Sequence, residues 1–217
     1  IGFELEGLYA DVPFETGGYG YDSSESIGHY WKAGTDGSLE HLEDWEEDYE
    51  PLEIVSTVLT PKTMHKAIEE FMLVVCGGEP LKKAVSFNES CGCHIHFKLS
   101  GITDMSWAIS VLKEEDLRKI YSRNLNRAVK KGLLREETVS RILKQYYRSY
   151  AKKNNGVRQR GAINFNSGYG TLEWRSHNLC GITTWEEFKT LLQIAVKSID
   201  QLLSSKNKVN HSIVVEV

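Results

Sequence analysis

The sequence predicts an α+β protein built on an antiparallel sheet, and three observations support this. Short β-rich segments fill the first hundred residues, whereas long helix-forming segments fill much of the remainder. Strands and helices do not alternate strictly, which disfavours a doubly wound parallel sheet. The 217 residues are 41% hydrophobic and 26% charged, a composition typical of globular proteins that bury a core. We therefore treat residues 1–217 as one domain, with a helical insertion at about 104–153.

The predicted strands are short segments rich in β-branched or alternating residues and bounded by turn signals. They cover residues 2–8, 29–33, 52–59, 87–99 with a break at Gly92, and a hairpin formed by 162–166 and 171–176. Between the second and third strands, we expect a turn at 35–38 and a solvated acidic loop at 43–50.

Four segments carry apolar residues at helical spacing. They cover residues 61–75, about 104–131, 136–153 and 183–205. Pro61 opens the first helix and Gly77 follows its end. For the last helix we expect Thr183 or Thr184 as the cap, with Glu186 completing a capping box on Thr183.

The formal net charge of −4 conceals a strong asymmetry along the chain. Residues 1–60 contain fifteen acidic residues and one lysine, Lys32, for a net charge of −14. Residues 113–160 contain fifteen basic and five acidic residues, for a net charge of +10. A basic stretch of this size could bind nucleic acid or another polyanion. We favour solvated helix faces instead, because these charges lie on predicted helices, and nucleic acid is not an expected partner.

The sequence also bears on the compartment. It contains no apolar run of about 18 residues and no secretory signal pattern. Its four cysteines are too few and too unevenly spaced for a secreted disulfide framework. We therefore expect a reduced, cytoplasmic protein without a membrane span. Ile1 lies directly in the first motif, so we expect an initiating methionine, with or without further residues, to precede it.

Functional side chains recur at alternate positions of several predicted strands. Residues i and i+2 of a strand share a face, while the residues between them point the other way. This alternation pairs Glu4 with Glu6, His94 with His96, and Glu173 with Arg175. Glu53 fits less cleanly, because its partner on the same face is Val55.

The cysteines and histidines near residue 93 have the composition of a zinc cluster. On a strand, however, the Cys91 and Cys93 thiols face away from the imidazoles of His94 and His96. We interpret these cysteines as buried apolar groups and keep zinc as the minor alternative.

Several carboxylates on one sheet face would require bound cations. Glutamates with one or two imidazoles form an oxygen-rich site, which suits Mg²⁺ or Mn²⁺. Such ions usually indicate phosphate chemistry, and Arg160 and Arg175 could hold phosphate oxygens bidentately. No Walker loop or dinucleotide fingerprint is present in the sequence. A metal-dependent phosphoesterase or nuclease and a non-catalytic metal-binding module are the alternatives to a nucleotide-dependent enzyme.

An ordered series of motifs from residue 2 to residue 175 is similar to the amidoligases of the glutamine synthetase and glutamate–cysteine ligase superfamily. The motifs are Gly2-Phe-Glu4-Leu-Glu6, Trp31 with Asp36-Gly-Ser38-Leu, Glu53-Ile-Val-Ser56, Cys91-Gly-Cys-His94-Ile-His96-Phe, Arg160 with Asn164, and Thr171-Leu-Glu173-Trp-Arg175. The resemblance implies an ATP- and Mg²⁺-dependent ligase that joins a carboxylate to an amine. It also implies an antiparallel sheet curved into a half-barrel.

The resemblance further implies roles for individual residues. Its metal ligands would be Glu4, Glu6, Glu53, His94 and Glu173, with Glu40 and Glu43 left open as alternatives to Glu53. His96, Arg160 and Arg175 would contact the nucleotide phosphates, and both arginines would neutralise the phosphoryl group in transfer. Asp36 would face the incoming amine. The expected substrates are amino acids, short peptides or cell-wall fragments.

Overall fold

The architecture is an open antiparallel sheet with helices packed on it. The computed structural model describes residues 1–10, 25–35, 49–88, 91–97, 112–151, 163–166 and 171–206, with the backbone alone at 25, 61, 145–151, 164–166, 176, 177 and 206. Its strands are β1 (Gly2–Ala10), β2 (Glu25–Ile27), β3 (Trp31–Thr35), β4 (Tyr49–Ser56), β5 (Val85–Ser86), β6 (Cys93–Phe97), β7 (Ile163–Asn166) and β8 (Thr171–His177). This confirms the predicted α+β class with an antiparallel sheet.

The strand order runs β2-β3-β4-β1-β6-β8-β7, and every pairing is antiparallel. The short strand β5 also pairs with β1, at Leu8 and Tyr9, beyond the end of β6. The first strand of the chain therefore lies at the centre of the sheet, between β4 and β6. This central position later decides which side chains meet.

The helices are α1 (Pro61–Glu70), which continues as a π-helical turn over Phe71–Val75, α2 (Leu81–Ala84), α3 (Glu114–Lys130), α4 (Glu136–Ala151) and α5 (Trp185–Lys206). Thr60 caps α1 and accepts a hydrogen bond from the Thr63 N–H. Threonine is a favoured capping residue, and proline is favoured at the first helical position that follows it. Among the described residues, none of these helices is long and apolar enough to cross a membrane.

One face of the sheet packs against the helices through aromatic side chains. Phe71 lies at the centre of this layer, with ring centroids 5.1 Å from Trp31 and 5.3 Å from Phe188 of α5. Tyr121 of α3 meets Trp174 of β8 edge to face at 5.1 Å. Aromatic contacts of this kind stabilise a core beyond the area that they bury. The opposite face of the sheet is left for polar side chains.

Several element boundaries differ from those predicted. Strand β4 begins at Tyr49 rather than residue 52, so the end of the predicted acidic loop is strand. Helix α3 begins at Glu114 rather than near residue 104, and residues 98–111 lie outside the described part of the chain. Strand β6 covers only the second half of the segment 87–99.

A further difference concerns the capping box of α5. Thr184, one of the two predicted caps, accepts a hydrogen bond from the Glu187 N–H, at 3.3 Å. The carboxylate of Glu187 accepts from the Thr183 N–H at 3.2 Å and from Arg135 Nε at 2.8 Å. The capping box predicted with Glu186 is therefore wrong by one residue, because Arg135 and the helix end share Glu187 as their acceptor.

Candidate metal centre

Strand alternation places carboxylates on the face of the sheet opposite the described helices. In β1, Phe3 and Leu5 are fully buried in the helical layer, as predicted, whereas Glu4 and Glu6 point to the other face. Their side chains are nevertheless buried, with Glu4 4% and Glu6 7% exposed. Burying a carboxylate is costly unless it is hydrogen-bonded, paired with a cation or bound to a metal. The neighbours of these glutamates therefore determine the chemistry of this face.

The strand register brings the predicted site residues of four strands together. Glu4 of β1 lies opposite His94 of β6, and Glu6 lies opposite Glu53 of β4. On the other side of β6, His96 lies opposite Glu173 of β8. We call this the carboxylate face, made up of Glu4, Glu6, Glu53, His94, His96, Glu173 and Arg175.

His94 lies among three carboxylates and is 5% exposed. Its Nδ1 atom is 2.9 Å from Glu4 Oε2 and 3.5 Å from Glu173 Oε1, and its Nε2 atom is 3.4 Å from Glu6 Oε1. Such a packed arrangement fixes the orientation of the ring. The imidazole is therefore preorganised as part of the cluster.

His96 is the second imidazole of the carboxylate face. Its Nδ1 atom is 3.2 Å from the Thr171 hydroxyl. Its Nε2 atom lies 2.8 Å from Glu4 Oε1, yet it is buried and makes no hydrogen bond of acceptable geometry with the described residues. A buried ring nitrogen that faces a carboxylate without such a bond is placed as a metal ligand would be.

Glu4 is the carboxylate that both imidazoles share. Burial alone would raise the pKa of Glu4, but its close contacts with the His94 and His96 imidazoles outweigh burial and lower the pKa well below its usual value. Glu4 is therefore an anion at neutral pH, as a ligand for a hard cation must be.

Two groups of donor atoms on this face are close enough to hold an ion. Glu4, Glu53 and His94 form one group, and Glu4, His96 and Glu173 form the other, with the donor atoms of each within 4.8 Å of one another. Each group has two carboxylates and one imidazole, an oxygen-rich set that fits Mg²⁺ or Mn²⁺ better than Zn²⁺. Glu6 belongs to neither group, so its predicted role as a ligand stays a prediction.

Glu6 instead accepts a hydrogen bond from the backbone. The Gly92 N–H donates to Glu6 Oε2 at 2.6 Å, and the Glu6 N–H donates to the Gly92 carbonyl at 3.0 Å. A Cβ atom at Gly92 would lie 2.7 Å from Glu6 Oε2 and 2.8 Å from His94 Nε2. An alanine here would force the Glu6 carboxylate and the His94 imidazole to shift, because both approach the Gly92 backbone.

We expect Gly92→Ala to displace Glu6 and His94, lowering the free energy of unfolding by about 1–3 kcal/mol through overpacking. The same substitution should weaken divalent metal binding, measured by Mn²⁺ titration. Gly2→Ala is the matched control, because a Cβ there meets His96 Cβ at 3.7 Å, an ordinary contact. Equal effects of the two variants would contradict this account.

Cys93 lies on the other face of β6, as predicted, and Cys91, which precedes the strand, is buried in the hydrophobic core. Cys93 is fully buried, and burial, with lesser contributions from Glu6 and Glu4, raises the pKa of its thiol well above the usual value. Cys91 Sγ donates to Asn88 Oδ1 at 3.3 Å. Because the Cys93 thiol is buried on the helical side of the sheet and neither donor group found among the described residues includes a cysteine, the zinc alternative receives no support.

We expect Cys93→Ala to lower the free energy of unfolding by about 1 kcal/mol, the cost of a small truncation in a packed core. It should leave Mn²⁺ affinity unchanged. Urea denaturation and metal titration of the same sample measure both effects. A loss of metal binding without a loss of stability would restore the zinc interpretation.

Of the two arginines predicted for the site, Arg175 is among the described residues. Its Nη1 atom donates to Glu173 Oε1 at 2.5 Å, and its side chain is 23% exposed. One end of the guanidinium is thereby anchored, while the group keeps further donors. The other predicted residues of the site, Asp36, Glu40, Glu43 and Arg160, lie outside the described residues.

Sequence reasoning missed two contributors to this face. Thr171 was noted only as part of a motif, although it lies two residues before Glu173 and hence on the same face, where it contacts His96. Lys32 was noted only for its charge, but its position opposite Val55 in the register places it on the carboxylate face. Strand alternation, applied to these residues, would have found both.

The carboxylate face gathers glutamates from β1, β4 and β8, imidazoles from β6, the Arg175 guanidinium and the Lys32 ammonium. Apart from the imidazoles, these four carboxylates and two cations carry a net charge of −2. That excess favours cation binding. Comparisons with protein-family models, curated proteins and solved structures found no significant match to this chain.

Proposed function

We propose that this protein is an ATP- and Mg²⁺-dependent carboxylate–amine ligase of the amidoligase type, forming an amide bond through an acyl phosphate. The open antiparallel sheet would then be the catalytic half-barrel of the glutamine synthetase and glutamate–cysteine ligase superfamily. The observation that carries the proposal is the pair of donor groups that share Glu4, with Arg175 next to one of them.

Glu4, Glu53, His94, His96 and Glu173 would hold the metal ions. Bound Mg²⁺ would neutralise the phosphate oxygens of ATP. Glu6, held by Gly92, keeps His94 in place on the side away from Glu4. His96 would lie towards the nucleotide, because it is on the β8 side of the face, beside Thr171 and Glu173.

The reaction has two steps in this proposal. The substrate carboxylate attacks the γ-phosphorus of ATP, the bond to the β-phosphate oxygen breaks, and ADP leaves. An amine then attacks the acyl carbon and displaces inorganic phosphate, losing one proton. Arg175, together with Arg160, would bind the oxygens of the transferring phosphoryl group, and Asp36 would accept the proton from the amine.

The cysteines support the proposed location. None of Cys76, Cys91, Cys93 and Cys180 forms a disulfide in the structure, and all four are buried. Burial raises the pKa of Cys76 to about 12, so that its thiol is unreactive. Buried thiols that form no disulfide fit a reducing compartment, and we propose a cytoplasmic location.

The test is an ATP-dependent trapping assay. Hydroxylamine in place of the amine should convert the activated acid to a hydroxamate, with ADP released in equal amount. Candidate acids should include amino acids, short peptides and cell-wall fragments, and calorimetry should show ATP binding at millimolar Mg²⁺. Absence of ATP binding would count against a ligase, and metal-dependent cleavage of a phosphoester without ATP would favour the phosphoesterase or nuclease alternative.

A further inference from the structure

A row of cations lies along the exposed side of α3, separated from the carboxylate face by the sheet. Together with Ser122 and Asn126, it lines a cavity of about 580 Å³. The cations of the row are Arg118, Lys119, Arg123, Arg127 and Lys130. No carboxylate lines this cavity within the described part of the chain.

A second cavity, of about 730 Å³, adjoins the first and lies between α3 and α5. It shares Arg127 and Lys130 with the first cavity and adds Lys131 and Lys197. Asn124 fixes this arrangement, because its amide donates to Ser198 Oγ of α5 at 2.9 Å. We call the two cavities together the α3 groove.

The charges of the α3 groove are not arranged as a solvated helix face usually is. Acidic residues of α3 occupy only its first turn, at 114–116. Beyond that turn, the neighbours of Arg123 and Arg127 at a spacing of four residues are cations, which repel one another. An anion lying along the groove would relieve that repulsion.

The dimensions favour a long, thin anion. Lys119 and Lys130 are eleven residues apart, a length of about 16 Å along a helix. All five cations of the row lie on one helix, so they can contact a single line of phosphates that runs along its axis. The cations recur about every 6 Å along the axis.

We propose that the α3 groove binds the sugar–phosphate backbone of a single-stranded nucleic acid. The three arginines offer bidentate contacts to phosphate. No aromatic side chain lines the groove among the described residues, so binding should depend little on base identity. The strand would lie on the helical side of the sheet, as Tyr121 of α3 packs on Trp174, and so away from the carboxylate face.

The test uses the full chain without metal or ATP, so it is independent of the ligase proposal. Fluorescence anisotropy measures binding of a labelled oligothymidylate of about 20 nucleotides between about 50 and 200 mM salt. The double variant Arg123→Gln/Arg127→Gln should weaken binding about tenfold and reduce the slope of log K against log salt by about 1.4. Thermal melting confirms that the variant, changed only at exposed residues, is folded.

The matched control is Lys62→Gln/Lys66→Gln, which removes two exposed cations from α1. It should change affinity by less than about twofold. A duplex of equal length and polyglutamate of equal charge should both bind more weakly than the single strand. The proposal is overturned if the wild type does not bind at the lowest salt, if both double variants behave alike, or if duplex or polyglutamate binds as tightly.

Discussion

Glu4→Gln is expected to weaken divalent metal binding severely, because Glu4 belongs to both donor groups of the carboxylate face. Removing one ligand from a group usually weakens binding more than removing an outer partner, which itself costs about 10–100-fold. We therefore expect Mn²⁺ affinity to fall by about 100-fold or more at both groups. Mn²⁺ titration followed by electron paramagnetic resonance would measure affinity and stoichiometry together.

The histidines supply the internal comparison. His94→Ala and His96→Ala each remove a donor from one group only, so each variant should keep the other group. His94→Ala should have the larger effect, because His94 also contacts Glu6 and Glu173. Glu50→Gln, at an exposed position of β4, should change nothing. If Glu4→Gln binds Mn²⁺ as tightly as the wild type, the assignment of ligands is wrong.

The faces of the strands were predictable because strand geometry alone determines them. Once residues 2–8 and 93–97 are read as strands, period-two alternation requires Glu4 and Glu6 to share a face, and likewise His94 and His96. The same argument assigned the cysteines correctly to the buried side. No information about the rest of the chain was needed for these predictions.

Contacts between distant segments were not predictable in this way. Glu4 and His94 are 90 residues apart, and their pairing depends on the register of β1 against β6. Glu53, whose neighbour Val55 made its role unclear, is placed by its position opposite Glu6 in the register.

Element boundaries depended on distant partners as well. Strand β3 begins two residues later than predicted, because Glu70 of α1 accepts hydrogen bonds from the N–H groups of His29 and Tyr30 and holds them in a turn. Gly28 precedes them with φ of 69°, a conformation that favours glycine. The residue types at 29–30 favour a strand, but their hydrogen bonds to a carboxylate 40 residues away hold them in a turn.

The remaining large effect concerns Arg175. We expect Arg175→Lys to lower hydroxamate formation about 100-fold or more, even though the charge is kept. Lysine could replace the hydrogen bond to Glu173, but an ammonium is a compact charge that cannot contact two phosphoryl oxygens in the plane of a guanidinium fork. The loss should therefore appear in the rate of ADP and hydroxamate formation, measured with whichever acid the wild type activates.

Two further measurements separate this role from a structural one. Mn²⁺ affinity of Arg175→Lys should stay close to that of the wild type, because Arg175 belongs to neither donor group. Arg141→Lys, which changes an exposed arginine paired with Glu137 on α4, should keep full activity. If Arg175→Lys were as active as the wild type, Arg175 would have no part in binding the phosphoryl group. If it lost metal binding along with activity, its contact with Glu173 would serve only to position that carboxylate.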